Sequence, residues 1–117
     1  MLARLGVPKY SAYCASKAGL LGLIRSWAAE FAVERILVNA ICPGWVDTEM
    51  AKEGLENIAK ASGRSVEGVR EAEMDRVPLG KMSSPSEVAA LVQFLVSGSQ
   101  TSITGQALDI NGGAVMA

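Results

Sequence analysis

Helix-prone and strand-like segments alternate along this chain, and that order predicts an α/β fold built on a parallel sheet. Two short runs carry the strand signal, residues 36–42 (Ile36-Leu37-Val38-Asn39-Ala40-Ile41-Cys42) and 107–110 (Ala107-Leu108-Asp109-Ile110). Both read as strands covered on two faces, and two such strands do not make a sheet without neighbours. The fold is therefore expected to be part of a larger α/β domain.

Each element has a local reason. Gly6-Val7-Pro8-Lys9 reads as loop, and a helix is expected from about Ser11 to about Val33. Its apolar residues (Leu20, Leu21, Leu23, Ile24, Trp27, Ala28 and Phe31) cover more than one face, so it needs cover on two sides. Ala12, Ala15, Gly19, Gly22 and Ser26 follow helical spacing. Two interior glycines cost about 1 kcal/mol each against alanine, and close approach of another backbone is a reason to keep them. Core packing and a subunit interface both explain that stripe.

The strand at 36–42 ends at Pro43-Gly44, a turn signal. Asp47 or Thr48 can cap a helix after it. Residues 49–76 are charged and helix-prone, broken near Ser62-Gly63, and read as a mobile excursion rather than core. Ser84-Pro85-Ser86-Glu87 is a capping box with proline at the first helical position. It opens a helix carrying Val88, Ala89, Leu91, Val92, Leu95 and Val96, closed by Ser97-Gly98. The strand at 107–110 runs into Asn111-Gly112-Gly113.

The chain has 117 residues, half of them hydrophobic and a fifth charged, which suits one modest globular domain. Its eleven Lys and Arg are scattered and the net charge is −1, so no nucleic-acid surface is indicated. With no His and two Cys, Cys14 and Cys42, neither a zinc site nor a Ser-His-Asp triad is expected within this chain, and no metal ligands are assigned. Those cysteines fall in an expected helix and strand, which fits reduced thiols and a cytoplasmic setting. Met1 to Gly6 is not a signal peptide, and the apolar run from Leu20 to Ile24 is too short to span a membrane.

Chemistry is concentrated in Tyr13-Cys14-Ala15-Ser16-Lys17. Positions i and i+4 share a helix face, so the phenol and the ammonium stand side by side. A free phenol ionises near pH ~10, too high for acid/base work at neutral pH. A neighbouring cation favours the phenolate, and a three-unit change takes roughly 4 kcal/mol.

Four signals then stand in order: Tyr13-x-x-x-Lys17, Asn39-x-x-x-Pro43-Gly44-x-Val46-x-Thr48, Pro78-Leu79-Gly80, and Gly105-Gln106 through Asn111-Gly112-Gly113. Together they resemble the C-terminal half of the short-chain dehydrogenase/reductase family, especially its 3-oxoacyl-carrier-protein reductase-like members. The resemblance covers essentially the whole chain. It implies the C-terminal part of a Rossmann-type doubly wound parallel sheet, with the N-terminal strands absent. Residues 1–117 would be a partial nucleotide-binding oxidoreductase domain.

Carried over by position, Tyr13 would be the general acid that protonates a carbonyl oxygen, or the base in reverse. Lys17 would favour the phenolate and hydrogen-bond the nicotinamide ribose. Pro43, Gly44 and Val46 would line the nicotinamide pocket, and Thr48 would hydrogen-bond the cofactor, as well as or instead of capping a helix. The cofactor would be NAD or NADP. Residues 49–76 match the family's substrate loop, and the helix at about 11–33 its usual oligomer-forming helix, implying a homo-oligomer, dimer or tetramer. Tyr10 reads as loop packing. Asp109 serves strand or interface structure, and Trp45 is either a substrate-side wall or packing.

The family's glycine-rich phosphate loop, active-site asparagine and catalytic serine belong before this region; the serine would fall at or before Met1. Ser11, two residues from Tyr13, cannot replace it. The chain alone is therefore expected to show no carbonyl reduction and poor NAD(P)H binding. The rival expectation is a truncated, non-catalytic module acting through the Ala15/Gly19/Gly22 face. An epimerase or dehydratase is disfavoured by the short tail after Gly113.

Overall fold

The computed structural model describes residues 3–116. Met1, Leu2 and Ala117 lie outside them, and with the first two goes part of the stretch read as no signal peptide. Helix α1 spans Ser11–Glu30, strand β1 Ala40–Pro43, α2 Glu49–Ser62, α3 Val66–Met74, α4 Pro85–Val96 and β2 Ala107–Ile110. The strands pair in parallel, Ala40 opposite Ala107 and Pro43 opposite Ile110. An α/β fold with a parallel sheet is what the sequence predicts.

Helix α1 starts without a side-chain cap and ends in a 3-10 turn, Phe31–Glu34, stopped by Arg35 in the left-handed region (φ 58°). Of its apolar residues only Leu21 and Ala28 are buried. Nothing stands within 4 Å of a Cβ built on Gly19 or Gly22, so the backbone approach expected there does not occur within this chain. Tyr10, expected to pack against the loop, is exposed instead, standing just before α1 with its amide bonded to the Val7 carbonyl at 3.1 Å.

Strand β1 is shorter than the run of β-formers. Arg35 turns the chain, and residues 36–39 are held by crossed contacts in place of a ladder. The Val38 amide donates to Thr104 Oγ1 at 3.0 Å, and the Gly105 amide to the Val38 carbonyl at 2.7 Å. Asn39 spans the gap with both ends of its amide. Its Nδ2 donates to the Ile103 carbonyl at 2.7 Å, and its Oδ1 accepts from the Gln106 amide at 3.1 Å. This clamp sits one residue before the first ladder pair and fixes the register of both strands.

Residues 49–76 correct the sequence expectation most strongly. They form two helices with the tightest apolar cluster among the described residues, Leu55, Ala59 and Val69, against which Trp45, Ile58, Val66 and Met82 pack. Charged residues dominate this stretch because each helix exposes its outer face, while the small Ala51 and Ala59 let α2 lie close to its neighbours. Thr48 caps α2, accepting from the Ala51 amide, and Gly63 ends it at φ 67°. Ser65 caps α3. Ser84 and Glu87 form the expected capping box on α4, with Pro85 in its first turn.

Cover on both faces is not supplied among the described residues, as expected of a sheet that lacks its neighbours. Within the two strands only Cys42 is buried. No residue of α4 is buried, and Leu20, Leu23, Trp27, Val92, Phe94 and Val96 are exposed. The accessible surface is 7723 Å², against about 6,100 Å² for a folded monomer of this mass. The radius of gyration is 16.2 Å, where about 13 Å is usual for this length. A two-stranded sheet offers too little area to cover four helices, and the apolar faces stay open.

Candidate functional site

Tyr13 and Lys17 lie in the first two turns of α1. Lys17 Nζ stands 5.3 Å from the centroid of the Tyr13 ring, within cation–π range. Tyr13 is 49% exposed. Its hydroxyl has no hydrogen-bond partner among the described residues, while its carbonyl accepts from Ser16 Oγ at 2.8 Å. The i, i+4 spacing thus delivers a phenol and an ammonium to one solvent-facing surface. Both keep their donors available.

Pro43, Gly44, Val46 and Thr48 form a second group, at the carboxyl end of β1. Pro43 closes the ladder opposite Ile110. Gly44 donates its amide to the Ile110 carbonyl at 3.0 Å and presses on the backbone of Asn111. Val46 bridges to Ser83. Thr48 Oγ1 donates to the Val46 carbonyl and accepts from the Ala51 amide, both at 3.3 Å. Capping is therefore what Thr48 does in this chain. Open α/β sheets bind ligands at the carboxyl ends of their strands, and this run occupies that position. No hydrogen bond or ion pair joins Tyr13 or Lys17 to Gly44, Val46 or Thr48 among the described residues; the two groups stand on separate elements.

Asn111 is buried and shapes the same end. Its Nδ2 donates to the Val115 carbonyl at 3.1 Å, and its Oδ1 accepts from the Gly113 amide at 2.9 Å. Gly112 takes φ 65°, and a Cβ there would meet Val77 Cγ1 at 2.6 Å. The Asn-Gly-Gly sequence signals the turn, yet nothing in it tells that Val77 and Gly44 pack on it. Asp109 meets Arg4, Oδ2 to Nε at 3.4 Å, so it serves the strand edge. Trp45 packs into the lobe of α2 and α3 and hydrogen-bonds Glu73, a role that packing alone does not describe.

Among the described residues, one open concavity of about 460 Å³ is lined by Asp47, Arg70, Lys81 and Glu87 among others, and another of similar volume by Glu56, Lys60 and Arg64 among others. Neither is lined by Tyr13 or Lys17. The first holds charges of both signs, with Lys81 Nζ 2.6 Å from Glu87 Oε1. The Lys81 ammonium, with the Ser84 amide, holds the Glu87 carboxyl down at about 2. Glu49 likewise raises Lys52. Both are exposed surface pairs. No group of three or more Cys, Asp or Glu gathers as a metal site among the described residues. No helix among them is long and apolar enough to cross a membrane.

An ordered α/β half-sheet, with Tyr-x-x-x-Lys opening one helix and Pro-Gly closing one strand, has clear relatives. Residues 1–115 match the family model described as enoyl-(acyl carrier protein) reductase, and the chain belongs to the short-chain dehydrogenase/reductase family. It is 38% identical over 111 residues to the 3-oxoacyl-[acyl-carrier-protein] reductase of Thermotoga maritima, covering 95% of this chain and 41% of that protein. The reductase of the same description from Rickettsia prowazekii is 40% identical, with 95% and 42% covered.

Among solved structures, a short chain dehydrogenase family protein from Francisella tularensis superposes with a TM-score of 0.89 at 32% identity, covering 97% of this chain and 47% of that one. An actinorhodin polyketide ketoreductase with NADPH superposes with a TM-score of 0.89 at 38% identity, covering 96% and 43%. The chain thus spans less than half the length of these relatives.

Proposed function

We propose that this chain is the catalytic-helix half of a nicotinamide-dependent oxidoreductase that interconverts a carbonyl and a secondary alcohol. The observation that carries this reading is the Tyr13–Lys17 pair, one helical turn apart with the ammonium 5.3 Å from the ring. The family membership and the reductases among its relatives support it.

The donor chemistry fits a nicotinamide nucleoside: a phenol and an ammonium with free donors suit ribose hydroxyls and a carbonyl oxygen. A bound NAD or NADP supplies or accepts the hydride. Tyr13 Oη gives its proton to the carbonyl oxygen as the carbonyl carbon is reduced, and takes it back in the oxidising direction. Lys17 orients the ribose and stabilises the phenolate left behind. Pro43, Gly44 and Val46 form the wall at the strand end, and Thr48 offers its hydroxyl there when it is not held by Val46. The α2–α3 lobe is the substrate side. The NADPH held by the similar polyketide ketoreductase structure supports a nicotinamide cofactor here.

Most of the family's cofactor-binding surface lies on strands that this chain does not include, so the 117 residues by themselves are expected to turn over no carbonyl and to bind NAD(P)H poorly. The free thiols of Cys14 and Cys42 support a reducing, cytoplasmic setting. A homo-oligomer through α1 suits the small-residue stripe that stays open on it.

The test joins this chain to the upstream part of the Thermotoga maritima reductase and measures ketone-dependent NAD(P)H oxidation. Activity in that fusion should fall by about 10²–10⁴ in Tyr13→Phe. Undiminished turnover in the variant would remove Tyr13 from the chemistry. A second reading, an interaction module without catalysis, is favoured by α4, none of whose residues is buried. An inactive but folded fusion would point to it.

A further inference from the structure

We propose that Trp45 is a positioning residue that latches the α2–α3 lobe to the carboxyl end of β1 through a hydrogen bond to Glu73. It leaves the strand one residue after Pro43-Gly44 and reaches both helices of the lobe. On α2 its ring meets Gly54, where an added Cβ would stand 3.5 Å from Cζ3 and Cη2. On α3 its indole Nε1 donates to Glu73 Oε2 at 3.3 Å. Its backbone is pinned as well, the carbonyl accepting from the Ser83 amide at 2.9 Å. Among the described residues, one side chain therefore ties the strand end to α2 and to α3 at once.

Glu73 suits this task. Its side chain is 21% exposed, and its second oxygen, Oε1, accepts from Arg76 Nη1 at 3.2 Å. Arg76 itself is largely exposed, so the ion pair is screened and weak. The indole bond is partly buried and made to a charged acceptor, which is the stronger kind. A ring alone could slide on an apolar cluster. A directional N–H to a carboxylate holds one pose, and that is what a lobe facing a reaction site needs. The functional meaning of the latch rests on the oxidoreductase reading; the latch itself does not.

Amide hydrogen exchange on the full 117-residue chain tests it without any activity. Trp45→Phe keeps the ring and removes the donor, and should speed exchange about tenfold in α2 and α3 together, leaving α4 unchanged. Glu73→Leu should do the same. Glu73→Gln keeps an acceptor and should restore the slow exchange, and Arg76→Gln should leave it slow. The Trp45 indole N–H, assigned in a Trp27→Phe background, should exchange slowly in the parent and fast in Glu73→Leu. Lobe exchange within twofold of the parent in both Trp45→Phe and Glu73→Leu overturns the latch. So does Glu73→Gln behaving as Glu73→Leu. Neither result touches the role of Tyr13, which the Tyr13→Phe measurement decides separately.

Discussion

Gly44 lies against the backbone of Asn111 so closely that a Cβ on it would stand 2.9 Å from the Asn111 Cα. The atom it would strike is main chain, which cannot swing aside as a long side chain does. Asn111 is itself held by hydrogen bonds to Val115 and Gly113. Gly44→Ala is therefore expected to cost about 1–3 kcal/mol through overpacking. A thermal or denaturant melt of the chain checks it. The control is Gly54→Ala, whose added carbon meets the Trp45 ring at an ordinary 3.5 Å and should cost far less.

Asn39 joins two segments that the ladder alone would leave loose. Asn39→Ala abandons the part-buried Ile103 carbonyl and the exposed Gln106 amide, at about 1–2 kcal/mol, most of it from the first. Asn39→Asp keeps the acceptor for Gln106 and sets a carboxylate against the Ile103 carbonyl, so it should recover only part of the loss. Chemical denaturation of the three proteins gives the order Asn, then Asp, then Ala. An alanine variant as stable as the parent would show that the register is set elsewhere.

How much of this was legible beforehand depends on whether the cause was local. The capping box at Ser84 and Glu87, the Thr48 cap and the strand at 107–110 follow from neighbours within a few residues, and the structure has them where the sequence puts them. Tyr13 and Lys17 share a face for the same reason. The strand at 36–42 was overread because Arg35 turns left-handed and Asn39 bonds sideways, and β-propensity registers neither. Residues 49–76 read as a mobile excursion because their charge hides four buried residues, Ala51, Leu55, Ala59 and Val69, spread over two helices. The Trp45–Glu73 contact spans 28 residues and carries no local signature.

The start of α4 should be sensitive to acid. The Glu87 carboxyl is held at about 2, below its ordinary 4.5, first by Lys81 and then by the Ser84 amide. A carboxyl whose folded value is depressed adds stability above its unfolded value and loses it as pH falls through the folded one. Protection of the α4 amides should therefore decline from about pH 4.5 to about pH 2. Salt should weaken only the exposed Lys81 share. Glu87→Gln keeps the capping geometry and should flatten the profile in that window. Lys81→Met should move the carboxyl titration back toward 4.5, as read by NMR.

Gly22 separates helix stability from association. Nothing lies within 4 Å of a Cβ built on it, so within one chain Gly22→Ala should only help, by about 1 kcal/mol of helix propensity. Leu20, Leu23 and Trp27 stand exposed on the same helix, and the chain shows about 1,600 Å² more surface than a monomer of its mass. A standard interface takes about 800 Å² from each partner, so the open area suffices for self-association. If two copies meet across the Ala15/Gly19/Gly22 stripe, a leucine there holds the helices apart. Gly22→Leu should then raise the thermal midpoint of dilute protein and weaken association at high concentration, as measured by sedimentation. Association unchanged in Gly22→Leu, yet lost in Phe94→Glu, would move the contact to α4.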